Sequence, residues 1–153
     1  MISDALTFLL TTLGNLFAIA VLLRFSMQLA RVSFKNPFAQ FIVALTDFAV
    51  KPLRRAVPGL FGMDMASLLL AWLVEFLVVA GSYWLDGFPF GLAGGGVWGL
   101  MLGLSIVRLV SLAVYLVIGL TLIRAVLSWM NNFSPLTPVV IELTEPFLRP
   151  LRR

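Results

Sequence analysis

Few residues in this chain could do chemistry, and the most costly of them to place is a glutamate. Glu75 lies in the middle of a long apolar run, and the one basic residue outside the clustered arginines and lysines that could meet it is Arg108, in the next apolar run. A charge at the centre of a membrane helix costs about 2.5 to 3.5 kcal/mol on insertion scales, so such a carboxylate faces protein or water. The pair is expected to form, either as a structural tie or as the lining of a polar path; no second buried acid stands ready for a proton relay, which favours the structural role. Two further acids follow threonines. Asp47 and Glu145 each precede a basic residue by four positions, Lys51 and Arg149. That spacing supports a helix by a few tenths of a kcal/mol and equally suits a basic edge that docks on anionic lipid or on a protein partner, each cation adding about 1 kcal/mol near such a surface. Both readings stay open. With no cysteine and no histidine, thiol chemistry, imidazole ligation and the usual zinc sites are excluded, and neither an enzyme nor a bound cofactor is expected.

These residues sit in a stretch that is written twice. Asn36 to Arg55 reads NPFAQFIVALTDFAVKPLRR, and Ser134 to Arg153 reads SPLTPVVIELTEPFLRPLRR. At a spacing of 98 residues Pro37 falls on Pro135, Thr46 on Thr144, Asp47 on Glu145, Pro52 on Pro150, and Arg54 and Arg55 on Arg152 and Arg153. With a two-residue slip, Leu22-Leu23-Arg24 also matches Leu122-Ile123-Arg124, each after about twenty apolar residues. The repeated unit is therefore an apolar helix, an arginine and a proline-bounded amphipathic segment ending in PLRR.

The elements that must position these groups are membrane elements. The chain is 61% hydrophobic and 12% charged, with a mean hydropathy of +1.04; soluble domains carry about 25% charged residues. Apolar runs over Ala5 to Leu23, Met65 to Leu85 and Val97 to Met130 are each long enough to cross a bilayer. The first is an anchor that stays, continuing through FSMQLA, with Arg24 and Arg31 reaching for headgroups. The third would reach about 50 Å as one helix. Either it tilts and protrudes, or its glycine-rich start is a separate piece and the crossing begins near Leu109. Between the first two runs, Phe38, Phe41, Ile42, Leu45, Phe48 and Ala49 share one helical face, with Gln40, Asp47 and Lys51 opposite. This segment, started by Asn36-Pro37 and ended by Pro52, either lies in the interface or packs on the bundle. Gly91, Gly95, Gly99 and Gly103 recur every fourth residue and predict a packing stripe, for this chain's own helices in preference to an identical copy.

The expected architecture is all-α: a small transmembrane helical bundle of about three crossings with duplicated interfacial amphipathic helices. It divides into residues 1–62, residues 63–96 with the second crossing and a Gly-rich connection, and residues 97–153. The net charge of +4 flanks apolar spans instead of forming a solvated patch, so no nucleic-acid partner is expected. With both PLRR segments inside, ten of the eleven basic residues lie on that side, and the two repeats are parallel. Partners expected on this layout are the lipid bilayer, with anionic lipid at the cytoplasmic face, and a membrane protein or an identical copy.

The run N-P-F-x-Q-F, L-T-D and K-P-L-R-R-x-V-P, preceded by LLRFSMQ, resembles the YggT family, called YlmG in Gram-positive bacteria and plastids. The resemblance covers nearly the whole chain, and the two-copy arrangement is similar to that of proteobacterial members, which are inner-membrane proteins. It implies links to osmotic and ionic stress tolerance, to cell-division gene neighbourhoods and, in chloroplast relatives, to cytochrome b6 haem attachment and nucleoid or thylakoid organisation, with no established enzymatic activity. Phe48 stands where the family pattern places proline, while Pro146 keeps it. Two-copy members continue past the second PLRR into a further apolar helix, so the resemblance implies a chain cut short at Arg153.

Overall fold

The computed structural model describes residues 1–59, 63–129 and 136–149, and the elements among them are helices. They are α1 (Ile2–Leu29), α2 (Pro37–Ala56), α3 (Met65–Leu85), α4 (Gly96–Trp129) and α5 (Thr137–Leu148). Of these, α1, α3 and α4 are long and apolar enough to cross a membrane. Pro135, Pro150, Arg152 and Arg153 of the duplicated motif lie outside the described residues.

The central packing is α1 against α3. Two lone glycines allow it: a Cβ at Gly14 would collide with Val78, and one at Gly81 would come within 2.7 Å of Leu10. Small residues let backbones approach where lipid supplies no hydrophobic drive between helices. The four-residue glycine pattern does not do this work. Gly91 and Gly95 precede α4, because Gly87 and Gly94 turn the connection with positive φ, and Gly99 and Gly103 have open space where a side chain would stand. The expected stripe is thus broken by the turn, and its helical half faces away from the chain's other helices.

α4 is one continuous helix of 34 residues, about 51 Å long against an apolar core of roughly 30 Å, so it tilts or protrudes. Its packing is one-sided. Met101, Ser105 and Leu120 are buried, whereas Val107, Val110, Val114, Tyr115, Ile118 and Leu122 are exposed. At its start an aromatic ladder of Tyr83, Phe88, Phe90 and Trp98 runs in ring contacts of 5.8, 5.1 and 5.5 Å, the kind of belt that marks a membrane edge.

The two amphipathic helices gather at the other end. One apolar cluster joins Leu23 and Met27 of α1, Ala39 and Ile42 of α2, Leu120 of α4, and Val139 and Leu143 of α5. The Asn36 side chain caps α2, accepting from the Phe38 amide at 2.9 Å, with Pro37 at the first helical position. Contrary to expectation, Pro52 does not end α2, which continues to Ala56. Proline removes only the bond to the Phe48 carbonyl, and both Pro52 and Phe48 are exposed, so no buried acceptor is stranded. α2 therefore has three faces. Ala39, Ile42, Thr46 and Val50 pack on the bundle, Phe41, Leu45 and Phe48 are exposed and apolar, with Phe48 touching the Phe17 ring of α1 at 5.6 Å, and Gln40, Asp47 and Lys51 form the polar side. The helix both packs on the bundle and offers the apolar face that an interfacial helix needs.

Candidate functional site

Three arrangements tie charged residues together between helices: a doubled arginine–threonine–acid clamp, the α2–α3 junction and a cluster between the spans. The first is a clamp at the α1–α2 junction. Arg24 was expected to reach for headgroups; it is instead 5% exposed, because α2 brings acceptors to it. Its Nη1 donates to the Thr46 hydroxyl at 2.9 Å and to Asp47 Oδ1 at 2.7 Å, and approaches the Val43 carbonyl at 3.4 Å. The Thr46 hydroxyl donates in turn to the Ile42 carbonyl at 2.7 Å. Lys51 closes on the other carboxylate oxygen at 2.7 Å. The Lys51 hydrogen bond holds the Asp47 carboxyl below its ordinary range, Arg24 adding to it against the opposing pull of burial.

The second copy repeats the geometry. Arg124 Nη1 donates to the Thr144 hydroxyl at 2.8 Å, Thr144 donates to the Val140 carbonyl at 2.7 Å, and Glu145 stands 3.9 Å from Arg124. The sequence pairing of Glu145 with Arg149 does not form among the described residues: the glutamate leans towards Arg124 across the helix pair, as Asp47 does towards Arg24. The repeated arginine, threonine and acid are thus one device, used twice, that fastens each amphipathic helix to the membrane helix before it. The signal was present in the sequence as the matched Arg24 and Arg124, but their partners lie 20 to 23 residues away.

The end of α2 is tied to the start of α3. Asp64 caps α3 through the Ser67 amide at 3.4 Å and hydroxyl at 2.5 Å, and accepts from Arg54 Nη2 at 2.5 Å. With its amide oriented to satisfy both ends, Gln28 donates to Asp64 at 2.7 Å and accepts from Arg54 at 3.2 Å. Burial pushes the Asp64 carboxyl up, but Ser67 and Arg54 outweigh it and hold the group below its ordinary value. Arg55 is exposed. Sequence reasoning missed this junction, which turns Arg54 of the PLRR motif from a surface cation into a structural one.

The third group lies between the three spans. Arg108 Nε donates to Glu75 Oε2 at 3.1 Å, with Glu75 fully buried and the Arg108 side chain 33% exposed. Asn15 of α1 completes the set. With its nitrogen turned to donate, it bonds the Thr11 carbonyl at 3.2 Å and Glu75 Oε1 at 3.3 Å; the opposite orientation accepts from Arg108 at 3.4 Å and leaves the carboxylate oxygen unmet. One level away, the Trp72 indole donates to the buried Ser105 hydroxyl at 2.9 Å, a second polar pin between α3 and α4. Asn15 precedes Arg24 by nine residues, about 14 Å of helix, so this group and the first clamp occupy different depths.

Comparison with known proteins agrees with the repeated motif. The family model described as CCB3/YggT matches residues 3–85 and 103–153. The chain is 36% identical over 154 residues to an uncharacterised protein of Pseudomonas aeruginosa, covering 99% of this chain and 76% of that one. It is 36% identical to YggT of Escherichia coli, covering 98% and 76%, and 36% identical to an uncharacterised protein of Haemophilus influenzae, covering 91% and 71%. No solved structure matches. The three apolar spans, the doubled arginine–threonine–acid clamp and these matches lead to one assignment: the chain belongs to the CCB3/YggT family.

Proposed function

We propose that this protein is a non-enzymatic scaffold or assembly factor of the bacterial inner membrane, supporting tolerance of osmotic and ionic stress. The observation that carries the reading is the doubled clamp, which holds α2 and α5 around one apolar cluster at a single end of the bundle. Two helices held on one apolar cluster, α2 ending in Arg54 and Arg55 and α5 capped by Arg149, make a platform for anionic lipid or for a membrane-protein partner. The excess of basic residues at this end supports a cytoplasmic orientation for it. Neutralising Lys51, Arg55, Arg152 and Arg153 together should abolish rescue of a deletion strain on high-salt medium while the protein still accumulates. A deletion strain that grows normally at raised sodium and potassium would sink the proposal.

A second reading, a component of a small-ion channel or transporter, is favoured by the Glu75, Arg108 and Asn15 cluster between the spans. It ranks lower because Arg108 directly compensates Glu75, leaving the cluster no free charge to offer an ion. Potassium or sodium flux through liposomes holding the purified protein, abolished by Glu75→Gln, would reverse the order.

A further inference from the structure

The two clamps differ in how fully their acid is used. Asp47 is held by Arg24 and Lys51, both at 2.7 Å. Glu145 is 53% exposed and reaches Arg124 only at 3.9 Å. Arg149, at the position of Lys51, has no ion pair among the described residues, and neither do Arg31 and Glu142. These four side chains line one cleft of about 460 Å³ between the end of α1 and α5, with Leu29 and Ile141 on its apolar wall.

Arg31 enters the cleft from a strained backbone. Its φ of 55° is the one positive value among the described residues other than glycine. The turn it occupies closes α1, with the Arg31 amide donating to the Gln28 carbonyl at 3.1 Å and the Val32 amide to the Met27 carbonyl at 2.9 Å. Glycine is the usual residue in such a helix stop. An arginine held there keeps a strained conformation and brings a cation to the cleft.

We infer that this cleft binds the headgroup of a phospholipid bearing both a phosphate and a primary ammonium, the ethanolamine class. Arg31 and Arg149 take the phosphate, Glu142 and Glu145 take the ammonium, and the acyl chains leave along Leu29 and Ile141. Two arginines and two glutamates cancel, so an anionic headgroup without an amine meets two uncompensated carboxylates. A choline headgroup brings a cation with no N–H to donate. Ethanolamine supplies three donors to Glu142, which has no ion pair among the described residues, and to Glu145, which reaches Arg124 only at 3.9 Å, and charge-assisted bonds of that kind are the strong ones. The cleft's size suits a headgroup, at the small end of ligand sites. The inference goes beyond the platform reading, whose basic edge at Lys51 and Arg55 is a separate surface, and rests on its placing this end at headgroup depth.

The test uses the full chain in mild detergent, offered equal amounts of phosphatidylethanolamine, phosphatidylcholine and phosphatidylglycerol with the same acyl chains, with retained lipid read by native mass spectrometry. Roughly tenfold more ethanolamine than choline lipid should remain bound, as expected for charge-assisted bonds that one headgroup makes and the other cannot. Glu142→Gln with Glu145→Gln should bring the two lipids to parity while both stay bound. Arg31→Gly separates binding from folding, since it relaxes the turn: thermal stability should hold or rise while lipid retention falls several-fold. Preference for phosphatidylglycerol, or selectivity unchanged in the glutamate variant, would overturn the inference. So would displacement of the lipid by soluble glycerophosphoethanolamine at equal concentration, which would assign the cleft to a soluble phosphate instead. Neutralising Lys51 and Arg55, which probes the platform's basic edge, should leave the ethanolamine preference intact; if the preference disappears with them, the cleft is not its source.

Discussion

Removing either member of the Glu75–Arg108 pair should not cost the same. Glu75 is fully buried, whereas the Arg108 side chain is 33% exposed and can swing away. Arg108→Met therefore leaves a buried carboxylate with only the Asn15 amide for company. Breaking a buried pair from one side costs about 3 to 5 kcal/mol. Glu75→Gln keeps an acceptor for Arg108 and exchanges a charge-assisted bond for a neutral one, a difference of about 1 kcal/mol. The double variant Glu75→Met with Arg108→Met strands no charge, only the half-buried Asn15 amide. It should be more stable than Arg108→Met alone, because apolar replacement of a buried pair is often neutral or better. Equilibrium unfolding in mixed micelles, followed by the fluorescence of the four tryptophans, gives the three values. The reasoning fails if Glu75→Gln is the costlier single change, or if the double variant is no more stable than Arg108→Met alone, since coupled sites do not add.

The first clamp should matter more than the second: Arg24→Gln is expected to lose about 3 kcal/mol, the upper end for hydrogen bonds made by a charged group, and Arg124→Gln about 1 kcal/mol, as for a single hydrogen bond, in the same unfolding assay. Gly14→Leu and Gly81→Leu should separate α1 from α3 and lower the melting temperature sharply. Gly99→Leu and Gly103→Leu should leave the monomer's melting temperature nearly unchanged, because open space lies where their side chains would stand. Asp47 and Asp64 have folded values below their ordinary 3.8, so the stability they add is present above that value and disappears as pH falls through the lower folded ones. A melting-temperature profile should be flat from neutral pH to about 5 and fall below about 4, with a shallower fall in Asp47→Asn.

Much of the layout is legible in the sequence, because membrane spans announce themselves by length and apolarity. Met65 to Leu85 emerges as a helix at its expected bounds, and the isolated Glu75 and Arg108 stand together in the fold. What periodicity could not carry is contact between distant residues. Arg24 looks like a headgroup-seeking cation because its acceptors arrive from α2, and Arg54 looks free because Asp64 belongs to the following helix. The glycines mislead for a related reason. A four-residue spacing means a stripe only if all four positions are helical, and Gly91 and Gly95 are not. The two glycines that admit close packing, Gly14 and Gly81, stand alone in apolar runs, with nothing local to distinguish them.

The central claim is that the two clamped helices lie at one face of the membrane. The chain contains no cysteine, so single cysteines at Lys51, Glu142 and Asp86, all exposed, can be probed in an unaltered background with a membrane-impermeant maleimide. Lys51→Cys and Glu142→Cys should label from the same side, in inside-out vesicles, and Asp86→Cys from the other, in right-side-out preparations. Labelling of Lys51→Cys and Glu142→Cys from opposite sides would contradict the account.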